Sequence, residues 1–151
     1  MTKRSSRRAE CGQALVEFTL TVIFLMILMV SVIELLGFIY TYTVIANAAK
    51  EGVRYAIVHG CNNATPSGPT TGIAPCNSPT AVLNRVKDFA GFSLHDVSGL
   101  NSTNITISYP DGNSKAGSQV AVSISYPYRS LFGLQWPSFT VRSHAAGRIV
   151  F

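Results

Sequence analysis

Apolar residues are arranged in two different ways along this chain. From Phe18 to Ile33 (FTLTVIFLMILMVSVI) no residue is charged, Glu34 interrupts once, and Leu35 to Ala49 is uncharged again. A bilayer core of ~30 Å is crossed by roughly 20 helical residues, whereas core helices of soluble domains match shorter apolar runs. The first pattern therefore predicts a membrane-spanning helix. It is expected to continue beyond the membrane to about Val58. Residues 38–58 contain no Pro, and Ala46, Ala48, Ala49 and Ala56 are strong helix formers. Glu51 can pair with Arg54 one turn on, and Gly60 is a natural stop. A helix from about Ala14 to Val58 would be ~68 Å long and reach well outside the bilayer. Ala48, Gly52 and Ala56 recur at i, i+4 and i+8, a smooth stripe that lets another backbone approach. The stripe is expected to seat the protein's own sheet in preference to a second chain.

After residue 58 the pattern changes period. Residues 59–79 hold a Pro, Gly, Ser and Thr-rich loop between Cys61 and Cys76 with no apolar periodicity. Thr80 to Ala90 places Val82, Leu83, Val86, Phe89 and Ala90 on one face, predicting a short amphipathic helix capped by Thr80 and stopped by Gly91. Then alternation takes over. Ile105, Ile107 and Tyr109 form one strand, Pro110-Asp111-Gly112-Asn113 has turn chemistry, and Val120, Val122, Ile124 and Tyr126 form a second strand ending at Pro127. Phe139, Val141 and the tail from Ala145 supply a third. The predicted class is α+β, with the long N-terminal helix and one short helix on a small antiparallel sheet whose apolar face is covered.

The chain has 151 residues and a net charge of +5, with pI ≈ 9.4. Such a pI invites a nucleic-acid reading, but the charge is unevenly spread. In residues 1–12, Lys3, Arg4, Arg7 and Arg8 stand against Glu10, a net of +3, and the other 139 residues carry only +2. The basicity is a tag, not a folded surface, and no nucleic-acid partner is expected. Basic residues just before an apolar span place that end in the cytoplasm. The remainder is then exported, periplasmic or beyond. A cleaved signal peptide has an apolar region of ~7–15 residues before a small-residue site. Ala46-Asn47-Ala48 offers such a site, but the apolar region here is too long and the site too distant. A lipoprotein is excluded because Cys11 precedes the apolar run.

Export favours a disulfide between Cys61 and Cys76, and closing a loop of this length stabilises by ~3 kcal/mol in the chain-entropy model. Zinc held by His59 and the two thiols is the alternative. It has three candidate ligands and no C-x-x-C pair, so no metal is expected. Cys11 is left over on the cytoplasmic side.

Glu17 stands at the mouth of the apolar stretch, where a carboxylate costs ~2.5–3.5 kcal/mol if carried to mid-bilayer. It either lies solvated among headgroups or has a partner. A basic tag, Gly12, a carboxylate five positions on, Phe18 and a long apolar helix together resemble the processing site of type IV prepilins. Gly12-Gln13-Ala14-Leu15-Val16-Glu17-Phe18, Val32-Ile33-Glu34-Leu35-Leu36-Gly37, and Ala46 to Ala56 followed by His59-Gly60-Cys61 resemble the TadE-like family of minor pseudopilins of the tight-adherence (Flp) pilus. The resemblance covers residues 12–61. It departs at Leu35, where the family often has Phe or Tyr. It implies a pilin-like fold and cleavage by a prepilin peptidase between Gly12 and Gln13. Cleavage would leave an α-ammonium at Gln13. The Glu17 carboxylate, four residues along, can neutralise such a group on its own or a neighbouring chain.

Glu34 is about 25 Å farther along the helix and on another side of it. It either marks the outer boundary of the membrane or meets a partner's charge within it.

No catalytic motif is present: neither G-x-S-x-G nor H-E-x-x-H nor a P-loop occurs. His95-Asp96 is expected to be a solvated loop pair, and no enzyme activity, cofactor or small-molecule substrate is expected. The chain thus divides into a basic leader (1–12), a transmembrane and extended helix (13–58), a disulfide-closed loop (59–79) and an exported α+β domain (80–151). The implied function is assembly of a bacterial Tad pilus, with the membrane, the prepilin peptidase and other pilus proteins as partners. The competing reading is an uncleaved, single-pass anchored periplasmic binding or scaffold protein.

Overall fold

A computed structural model describes residues 3–94, 96, 98–132 and 139–150, with side chains from Gly12 onward. The element order is α1 (Lys3–Val58), α2 (Thr80–Ser93), β1 (Ile105–Ser108), β2 (Gln119–Pro127) and β3 (Thr140–Arg148). The chain forms two compact units, one ending at Gly37 and the other beginning at Phe38.

The first unit is the N-terminal part of α1. The helix starts at Lys3 and not near Ala14, because Arg, Ala and Glu before Gly12 favour helix and one Gly costs only about 1 kcal/mol. From Gly12 to Met29 every residue is exposed. An 18-residue window of α1 reaches a mean hydropathy of 2.8 with none of it buried. Among the described residues this is the one helix long and apolar enough to cross a membrane.

The second unit is the α+β domain. Here α1 buries Thr41, Val44, Ile45, Ala48, Ala49, Gly52, Val53 and Ala56, a stripe at helical spacing. The sheet is an antiparallel meander in the order β1-β2-β3. Ile105 lies opposite Ile124, Ile107 opposite Val122, and Tyr126 opposite Val141, so the period of two puts the apolar set on one face. That face meets Ile45, Ala48, Val53 and Ala56 of α1, and Val82, Val86 and Ala90 of α2, in one core. The expected α+β arrangement is therefore present.

Both ends of α2, and the way the end of α1 is satisfied, differ from expectation. Pro79 and not Thr80 is the N-cap residue of α2, and it offers no side-chain cap. Ser78 sits before it, its hydroxyl 3.4 Å from the Thr80 N–H and 3.0 Å from the Thr80 hydroxyl. At the other end α2 runs through Gly91 to Ser93. The last turn gains a tertiary partner there, since the Tyr40 hydroxyl donates to the Ser93 carbonyl at 3.0 Å. At the end of α1, Asn63 Nδ2 donates to the Val58 carbonyl at 2.9 Å, so a side chain satisfies the end that Gly60 was expected to cap.

The turn before β2 follows its sequence. The Gly112 N–H donates to the Tyr109 carbonyl at 2.9 Å, and Gly112 takes φ +69°, a conformation that L side chains rarely adopt. Asp111 then accepts from the Gln119 N–H at 2.7 Å, which fixes where β2 begins.

Candidate assembly site on the N-terminal helix

Gly12, Gln13 and Glu17 lie within the exposed part of α1. A Cβ built at Gly12 would meet nothing within 4 Å, so the backbone there is open to approach. Gln13 and Glu17 are one turn apart and share a helix face. From Leu15 onward the exposed surface is largely apolar; Phe18, for example, is 69% exposed.

The polar residues of this stretch reveal how it suits an apolar medium. Thr19 Oγ1 donates to Leu15 O at 2.7 Å, Thr21 Oγ1 to Glu17 O at 2.9 Å and Ser31 Oγ to Ile27 O at 2.8 Å. Each hydroxyl is satisfied within its own helix, one turn back, and needs no water.

Glu34 is half-buried on the same helix. Its separation of 17 positions from Glu17 corresponds to about 25 Å and a different side, so the structure does not bring the two carboxylates together.

The other sequence candidates fall in the second unit. Ala48 and Ala56 are fully buried. A Cβ on Gly52 would collide with Val86 Cγ2 of α2 and touch Val122 of β2 at 3.6 Å. The small-residue stripe is thus occupied by this chain's own helix and sheet.

Cys61 and Cys76 form a disulfide, with Cα atoms 5.3 Å apart. Both thiols are therefore used, and the zinc alternative loses its sulfur donors. His59 Nδ1 donates to Tyr55 O at 2.8 Å, and its ring stacks on Tyr55 at 3.8 Å between centroids.

The loop is more firmly held than its composition suggests. Ser67 donates to His59 O through both N–H (2.7 Å) and hydroxyl (2.8 Å). Cys61 N–H donates to Ser114 O at 2.9 Å, and the Ser114 hydroxyl lies 3.3 Å from the Cys61 sulfur. Ser67 and Ser114 are both buried. Among the described residues no buried side-chain N or O atom lacks a partner. Single serines in a Ser-rich loop give no sequence signal of such a role.

Two tyrosines have raised pKa values. Burial raises Tyr109, partly offset by its hydrogen bond with Ser67. Burial raises Tyr126 too, with the Asp96 charge adding to it and Arg129 opposing. The Tyr126 hydroxyl donates to Asp96 O at 2.7 Å, and that of Tyr109 to Ser67 Oγ at 3.5 Å.

One polar pair was not anticipated. Ser123 Oγ lies 2.9 Å from His144 Nδ1, because β2 and β3 pair these residues directly on the solvent face. A hydrolase would need the serine on one ring nitrogen, an acid on the other and oxyanion donors nearby. Here the pair stands on an open sheet face with Arg142 and Ser143 as neighbours, which makes it a cross-strand contact. His95, the other histidine considered, lies outside the described residues, as do the side chains of Cys11 and the basic leader residues.

No curated protein matches this chain, and no solved structure does. A family model matches on the helix that carries Gly12, Glu17, Glu34 and the small-residue stripe as far as Gly52. Residues 12–54 fit the family model described as TadE-like protein, so this stretch is similar to that family, in agreement with the resemblance of the sequence motifs.

Proposed function

We propose that this protein is a minor pilin-like, membrane-anchored component of a Tad pilus, acting through assembly and not catalysis. The observation that carries the reading is the TadE-like match over residues 12–54 on a helix that is apolar and unburied in its first half. The basic leader stays cytoplasmic and the α+β domain is exported. Prepilin peptidase cuts between Gly12 and Gln13. The exposed apolar face of the mature helix then packs against similar helices, a head-to-tail contact that builds filaments or their starting tips. Glu17 sets register by pairing with a terminal amine, since an unpaired charge is costly at membrane depth. Glu34 marks the outer boundary. The exported domain offers its polar surface to other pilus components.

Intact-mass measurement of the membrane-extracted protein from cells holding the peptidase tests this directly. A mature chain beginning at Gln13 is expected. An intact N-terminus would overturn the processing step and leave the uncleaved anchored scaffold, and a start at Ala49 would reinstate a signal peptide. Glu17→Gln should be cleaved yet fail to co-purify with other pilus proteins; normal co-purification would remove the charge-pairing role. Normal assembly of Glu34→Gln supports the boundary role, and a loss would point to an intramembrane partner.

A further inference from the structure

The large apolar side chains exposed on the second unit concentrate at one end. Two tethers define that end. The Tyr40 hydroxyl donates to Ser93 O at 3.0 Å, which brings the last turn of α2, with Phe89 and Phe92, to the level of residue 40 of α1. The Phe38 ring meets Tyr128 edge-on at 5.4 Å and Phe139 at 6.4 Å. The Tyr128 N–H also donates to Phe139 O at 2.8 Å. The connection after β2, which carries Leu131 and Phe132, therefore begins at the same level. Phe92 is 96% exposed, and Tyr40, Leu131, Phe132 and Phe139 are each half exposed or more.

This is the end at which the chain continues back into the apolar stretch of α1. The opposite end lies about 20 residues up the helix, or ~30 Å. Among the described residues, the large apolar side chains exposed there are Val58, Ile73 and Val150, none of them aromatic. Two acidic residues lie near this end: Asp96 is ion-paired with Arg129 at 3.4 Å, and Asp88 is exposed on α2 one turn before Phe92.

We propose that this rim of Tyr40, Phe89, Phe92, Leu131, Phe132 and Phe139 docks on the lipid surface, at the boundary of headgroups and acyl chains. Aromatic rings favour that layer, and apolar surface left in water is unfavourable by about 25 cal/mol per Å². The occupant is lipid and not a second copy because Phe38 and Tyr40, at the level of the rim, directly follow in the chain the apolar stretch suited to the bilayer. Docking fixes the orientation of the domain over the membrane before it joins other subunits. The inference rests on the membrane anchoring in the proposed function and not on leader cleavage.

Photo-crosslinking of the full-length chain in vesicles of phosphatidylethanolamine and phosphatidylglycerol tests it, using a lipid with a diazirine at the top of its acyl chain. Mass spectrometry should find lipid adducts on peptides holding Phe92 and Phe132 as well as on residues 18–36, and none on the peptide holding Ile73. Phe92→Glu and Phe132→Glu should lose the domain adducts while keeping those of residues 18–36. Adducts confined to residues 18–36 would overturn docking but leave anchoring intact. Their absence from residues 18–36 as well would overturn both. Protein–protein crosslinks at Phe92 in place of lipid adducts would assign the rim to a second copy and overturn the proposal.

Discussion

Two stretches of one helix, residues 12–37 and 38–58, are similar in apolar content and differ in what they do with it. In the first, apolar side chains cover the helix on every side and remain exposed, while its hydroxyls bond to their own helix. In the second, burial recurs at Thr41, Val44, Ile45, Ala48, Ala49, Gly52, Val53 and Ala56. The difference is one of solvent. A helix in lipid has no face to hide, so its apolar residues need no period. A helix on a water-soluble domain must turn one stripe inward.

Paired substitutions can break this comparison. The largest contrast is expected between Ile45→Ala and Ile27→Ala. Ile45 is fully buried and Ile27 is 61% exposed, so the first should cost about 2–5 kcal/mol and the second should leave the domain's thermal unfolding unchanged. Near-ultraviolet circular dichroism in detergent micelles reads both; equal midpoints would refute the two-solvent picture.

Glycine substitutions give the next effect. Gly52→Ala drives a methyl into Val86, an overpacking cost of about 1–3 kcal/mol only partly offset by the ~1 kcal/mol that Ala adds in a helix. Gly12→Ala meets open space and should not lower the unfolding midpoint, although it should slow leader cleavage if the peptidase needs close backbone approach. The two readouts separate packing from processing.

Smaller still is the ion pair that ties α1 to α2. Arg85 reaches Glu51 at 2.8 Å, while Arg54 lies at 3.9 Å and is far more exposed. Because the Arg85 side chain is half in water, Glu51→Gln should cost no more than ~1 kcal/mol, with the loss shrinking at high salt.

The last effect is nil at neutral pH and appears only in alkali. Tyr109 and Tyr126 are raised above the usual tyrosine value of 10.0. The folded form holds these protons longer than the unfolded chain does. Their stabilising contribution is therefore complete below pH ~10 and is lost as pH rises through the folded values. Alkaline titration of the unfolding midpoint should show this fall in the wild type and a shallower one in Tyr109→Phe.

Much of the fold was legible because its signals are local. The alternation of Ile105 and Ile107, and of Val120, Val122, Ile124 and Tyr126, marked the strands and their buried face. The Pro110–Asn113 turn declared itself by composition. The end of α1 at Val58 was also legible, but the group that satisfies it, Asn63, was not. The extension of α2 past Gly91 depends on Tyr40, which lies 53 positions earlier. Glu51 was matched to Arg54 by helical spacing, yet its closer partner, Arg85, is on another helix. The cross-strand pair of Ser123 and His144 follows from register and not from either residue's neighbours in sequence.

By itself the sequence determined the apolar helix, its Gly12 to Glu17 motif, the TadE-like resemblance and the strand periodicities. Each is written in residue type and spacing over a few turns, where chain geometry leaves few choices. Only the tertiary structure decided which residues close the helix ends, how the polar loop is anchored through Ser67 and Ser114, and where Phe92 and Phe132 emerge. Those outcomes depend on groups tens of residues apart meeting in space, and no local spacing encodes such a meeting.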